Sequence, residues 1–148
     1  MVELTLKVNR ITEQYLERFG KVRMAIYHLV FFQQEPFSSF INSLMITLRR
    51  KDQMPCFAWF STTAPDSRYL IIWCNGYFKT DFSDITPIVS NLGKLHSLRS
   101  ISFTDGIIGG IFDVDQINVK LNNLISWHYS PINQFHQRSF GASALFRG

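Results

Sequence analysis

Cations stand beside aromatic side chains at several points of this chain. Arg68 precedes Tyr69, and Tyr77 lies two residues before Lys79. Arg49 and Arg50 lead into Lys51, and Arg138 stands two residues before Phe140. Cations neutralise phosphates and rings stack on bases, which is what a single-stranded nucleic acid asks of a surface. The Arg49-Arg50-Lys51 triplet also closes a helical pattern, where positive charge offsets the negative end of the helix dipole. Trp59 and Trp73 sit inside apolar runs and read as core. Hydrolytic or transfer chemistry has less to work with. The sequence contains no Gly-rich phosphate loop, no paired catalytic carboxylates and no nucleophile elbow. Gly106-Ile107-Ile108-Gly109-Gly110 lacks a following lysine and reads as a bulge or turn. Cys56 and Cys74 form no CxxC motif and no Cys/His cluster, so neither structural zinc nor any other cofactor is expected. They read as two buried thiols on neighbouring strands that could lie near each other, in a reducing compartment. His28, inside an apolar run, reads as a satisfied sheet residue.

The elements that must position these residues centre on Pro55 to Phe78. Cys56-Phe57-Ala58-Trp59-Phe60 and Tyr69-Leu70-Ile71-Ile72-Trp73-Cys74 are short, almost continuously apolar and rich in aromatic and β-branched residues. That pattern predicts two strands buried on both faces. Ser61 to Ser67 is rich in turn formers and joins them as a hairpin, which Asn75-Gly76 ends.

Around the hairpin the periodicity is clear. Val2 to Val8 reads as an extended lead-in. Val8, Ile11, Tyr15, Leu16 and Phe19 mark one face of a helix, with Gly20 as its C-cap. Lys21 to Phe32 reads as a strand. Pro36 suits the first position of a helix whose stripe is Phe37, Phe40, Ile41, Leu44, Met45 and Leu48. Asp81 to Leu95 predicts another helix, capped by Asp81 or Ser83, with Pro87 placing its start near Ser83. Ser100 to Phe103 and Ile107 to Phe112 form a strand pair or one interrupted strand, with Thr104-Asp105-Gly106 as a turn and Gly109-Gly110 as a bulge. A last helix runs to Trp127 from a cap at Asp113 or Asp115, and an aperiodic tail follows.

The order β-α-β-β-α-β predicts an α+β fold. It is a ferredoxin-like split βαβ, with an antiparallel sheet, helices mainly on one face, and a C-terminal helix and tail. The 148 residues are expected to form a single domain spanning 1–148. The net charge of +4 and isoelectric point near 9.3 favour an acidic partner, either nucleic acid or an acidic protein face. No signal peptide or membrane-spanning run is indicated, and a cytoplasmic location in a bacterial host is expected.

Several segments, in order, resemble the inovirus replication-protein family and its bacterial prophage relatives (YagK/YfjJ-like). VNRITEQYLERFGKVRMAIYHLVFF is similar to its first helix and strand, and FSSFINSLMITLRRK to its next helix. CFAWFSTTAPDSRYLIIWCNG is similar to its central hairpin, and RSFGASALF (138–146) to its characteristic ending. That family is similar to rolling-circle initiators of the HUH type. In these, two histidines on a strand hold a divalent metal and a helix-borne tyrosine attacks a DNA phosphate. Here the His-x-His site falls on Ser67-Arg68-Tyr69, so both histidines are absent. Tyr129 stands where the nucleophile would be, without a lysine three residues on and with helix-breaking Pro131 close by. His28, His128 and His136 could form a substituted metal set, though their spacing does not require one.

The resemblance therefore implies a catalytically degenerate initiator-like domain of a phage or mobile element that binds single-stranded or hairpin DNA. The expected contacts are Arg49, Arg50, Arg68, Tyr69, Tyr77, Lys79, Tyr129 and Arg138. The alternative is an anti-defence protein, for example an anti-CRISPR, that binds a bacterial host protein. Its contacts would include the C-terminal segment with Trp127, Tyr129, Phe135, Arg138 and Phe140.

Overall fold

The computed structural model describes residues 2–32, 37–50, 55–77, 82–131 and 138–143. Helix α1 (Val2–Phe19) leads into strand β1 (Lys21–Phe31), then helix α2 (Phe37–Leu48). The hairpin is β2 (Cys56–Ser61) and β3 (Ser67–Asn75), followed by helix α3 (Thr86–Lys94) and strand β4 (Leu98–Gly110). A 3-10 turn over Ile111–Asp113 opens helix α4 (Val114–His128), and β5 (Phe140–Ala142) lies in the C-terminal segment. Pro36, Lys51, Lys79, Asp81, Phe135 and His136 lie outside the described residues.

The sheet order is β4-β1-β3-β2-β5, and every adjacent pair is antiparallel. Strand β3 sits between β1 and β2, and β1 between β3 and β4, which is the split βαβ arrangement. Helices α2 and α3 pack on one face, against Ala25, Tyr27, Phe57, Leu70 and Ile72. The expectation that the helices lie mainly on one face is corrected here. Helices α1 and α4 cover the other face, against Met24, Ile26, Ala58, Ile71 and Trp73. A sheet whose central strands are apolar on both faces must bury both. Trp73 is fully buried, and its indole N–H donates to Thr12 Oγ1 at 2.9 Å. Cys56 and Cys74 are buried and form no disulfide, and they belong to opposite faces: Cys56 is paired with Trp73, one residue short of Cys74.

Four local expectations shift. The extended lead-in is helical from Val2, because buried Leu4 continues the stripe of Val8, Ile11 and Tyr15 by one more turn. Helix α3 starts at Thr86, with Pro87 in its first turn and no side-chain cap. Ser83 does not cap it, and Asp84 instead turns to Arg23. Its carboxylate accepts from both terminal guanidinium nitrogens of Arg23, Nη1 and Nη2, at 3.0 and 3.1 Å. Strand β4 is continuous through Thr104-Asp105-Gly106. A bulge at Thr104 replaces the turn, while Gly109 and Gly110 stay in register with Val22 and Lys21. At α4 the N-cap residue is Asp113, but its carboxylate accepts the Gly110 N–H at 2.8 Å and so caps the 3-10 turn. Gly20 closes α1 as expected, with φ +76° and its N–H on the Leu16 carbonyl at 2.8 Å. Among the described residues no helix is long and apolar enough to cross a membrane.

Candidate nucleic-acid interface

Successive residues of a strand point to opposite faces, and this divides the sequence-predicted contacts. Tyr69 joins the α1/α4 face and Arg68 the α2/α3 face. Tyr69 is only 7 % exposed. It lies in a row that crosses all five strands: Ser102, His28, Tyr69, Phe60 and Phe140, each opposite the next. The His28 and Tyr69 rings stack at 4.8 Å and the Tyr69 and Phe60 rings at 5.3 Å, as paired residues on adjacent strands can. The last residue of α4, His128, places its ring 4.6 Å from that of Tyr69. Tyr129 stands edge-on to Phe60 and Phe140.

Several polar atoms in and around this row are engaged. His28 Nε2 and Ser67 Oγ share a hydrogen bond of 2.6 Å, and the Tyr129 and Ser139 hydroxyls share one of 2.7 Å. Ser61 donates to the carbonyls of Ser130 and Ser139, tying the end of α4 and β5 to the hairpin. Burial pushes the Tyr69 phenol up, and burial followed by the nearby His128 pushes the His28 imidazole down. A neutral phenol in a ring stack and a hydroxyl bound to an imidazole make a poor ligand pair for a divalent metal. The residues at the His-x-His position therefore do not fit that ion. Among the described residues no group of three or more His, Cys, Asp or Glu side chains could hold one.

Tyr69 is thus corrected from an exposed contact to a packed one, while Tyr129 is half-buried against Phe60 and Phe140. Tyr77 is exposed, with Lys21 Nζ 5.8 Å from its ring centroid. It lies past the far end of β3, whose last residue, Asn75, is roughly 20 Å along the strand from Tyr69 at about 3.3 Å per residue.

The arginines converge instead on the α2/α3 face. A groove of about 500 Å³ runs between α2 and strands β2 and β5. Its floor is Phe57 and Trp59, its α2 wall includes Phe37, Ile41 and Met45, and Arg138 stands on the β5 side. Arg68 lies over the Phe37 ring at 5.2 Å, its guanidinium fixed by the carbonyls of Pro65 and Ser67 at 2.8 and 2.9 Å. Burial lowers its pKa and Asp66 opposes that, but a guanidinium remains charged. Arg49 Nη2 contacts Met45 Sδ at 3.3 Å, and exposed Arg50 follows it. Among the described residues no carboxylate lines the groove.

Gly141 explains why β5 can pass so close. A Cβ there would stand 2.7 Å from Trp59 Nε1, so only a glycine lets the strand cross the indole. The groove residues Ser38 and Asn42 did not stand out in the sequence. The available signal was the width of the α2 stripe: Phe40, Leu44 and Leu48 are buried, whereas Ile41 and Met45 are only half-buried.

Compared with protein-family models, with curated proteins and with solved structures, the chain shows no match.

Proposed function

We propose that this chain is a non-catalytic, initiator-like domain of a phage or mobile element that binds single-stranded nucleic acid. The observation that carries the reading is the convergence of Arg49, Arg68 and Arg138 around one apolar groove that no carboxylate lines among the described residues. Fixed guanidinium groups suit phosphates, and an aromatic floor suits bases. Tyr69 and Tyr129 serve packing in this reading, and Tyr77 lies away from the path. The test is fluorescence anisotropy of a labelled oligonucleotide. Arg138→Ala and the Arg49→Ala/Arg50→Ala pair should each weaken binding, whereas Tyr77→Ala should not. Wild-type protein that fails to bind any oligonucleotide at low salt would overturn the reading.

A second reading, inhibition of a bacterial host protein, is favoured by one feature. Ile108, Ile111 and Phe112 are exposed together where β4 meets α4, with Phe112 fully exposed. Exposed apolar side chains close together in the chain are a feature of protein-contact surfaces. A partner band that survives nuclease treatment of a host lysate, and is lost in Phe112→Ser, would support it. Recovery of nucleic acid alone would oppose it.

A further inference from the structure

We infer that the groove between α2 and β5 takes one unstacked base of a single strand, leaving the phosphates to the arginines at its rim. This rests on the nucleic-acid reading and makes it specific. The groove has the size of a small-molecule pocket rather than of a shallow phosphate track. Its floor and one wall are apolar: Trp59, Phe57, Ile41 and Met45. A phosphate would be poorly placed there, because burying a charge among apolar groups is costly. A base is a flat apolar body with a polar edge and loses little on entering. Met45 offers a polarisable sulfur to such a ring.

The polar edge has partners as well. Ser38 and Asn42 line the groove one helical turn apart on the same side of α2, and both are exposed. An Asn side chain presents a donor and an acceptor to a base edge, the pairing used in direct readout of adenine. The charges flank this polar edge. Arg138 stands across the groove from α2, Arg68 lies on Phe37 at the start of the helix, and Arg49 rests on Met45 near its end. Phosphates on both sides of an inserted base therefore have cations to meet. A base paired within a duplex could not enter, so the occupant is a single strand.

The decisive comparison uses two labelled oligonucleotides of equal length and charge. One is of deoxyadenosine, and the other is the same backbone with abasic sites throughout. The expected result is binding of the first about tenfold tighter than the second. Asn42→Ala should reduce that preference. Ser38→Trp, at an exposed helix position that faces the groove, should fill it and abolish the preference. Equal affinity of wild-type protein for both strands would overturn the inserted base while leaving nucleic-acid binding intact. Absence of binding to either strand would overturn both.

Discussion

Arg68 and Tyr69 are neighbours in sequence and stand on opposite faces of the sheet. The Arg68 guanidinium lies over Phe37 on the α2 side, while the Tyr69 ring stacks on His28 and Phe60 beneath the end of α4. One strand thus supplies a cation to a groove and an aromatic ring to a packed row. It is the row that occupies the place where the resemblance would put a metal site.

The Arg23–Asp84 ion pair holds β1 to the turn before α3. Arg23 is fully buried and Asp84 partly so, and the Phe82 ring lies 5.5 Å from the guanidinium. Removing one partner of a buried pair strands the other charge. Asp84→Ala should lower stability by about 3–5 kcal/mol in urea unfolding. A loss below about 1 kcal/mol would mean that the charge is solvated.

The His28 imidazole is held below its usual pKa, chiefly by burial and then by His128. The unfolded chain, near 6.5, takes up the proton first. Stability conferred by the neutral ring is therefore complete above that value. It is lost as the pH falls from there through the lower folded pKa. Thermal unfolding followed between neutral and acidic pH should show this decline, and His28→Gln should flatten part of it. A stability that rises on acidification through this window would contradict the packing assigned to His28.

Tyr129 donates to or accepts from Ser139 and packs on Phe60. Tyr129→Phe should cost about 1 kcal/mol of stability and leave oligonucleotide affinity unchanged. Cleavage of a hairpin substrate by wild-type protein with manganese, abolished in this variant, would instead restore Tyr129 as a nucleophile.

Gly141 admits the Trp59 indole. Gly141→Ala should destabilise the protein by roughly 1–3 kcal/mol through overpacking, and should weaken nucleic-acid binding by moving β5 or Trp59. An alanine tolerated without loss of either property would show that the β5 contact is loose.

Much of the fold was legible because its signals are local. The apolar hairpin strands, the stripe of α2 and the glycine after α1 each declare one element, and their order declares the split βαβ sheet. The second helical layer was not expected, although the same strands carried the reason for it: runs apolar at every position cannot leave one face to water. What was not legible depends on long-range pairing. The register that sets His28 beside Tyr69, and Phe60 beside Phe140, brings together residues far apart in the chain. Asp84, which no local pattern singles out, goes to Arg23 because a buried guanidinium requires an anion. The groove is missed for a similar reason. Ile41 and Met45 fit a core stripe, and only β5, three residues long, decides how much of that stripe stays open.

The most direct test of nucleic-acid binding through the α2 groove is the salt dependence of single-strand affinity for wild-type protein and for the Arg49→Ala/Arg50→Ala/Arg138→Ala variant. A linear fall of log affinity with log salt is predicted. In the triple variant the slope should shrink by about 0.7 for each phosphate contact removed. An unchanged slope in that variant would contradict the placement of the nucleic acid on this face, and a wild-type affinity insensitive to salt would contradict nucleic-acid binding itself.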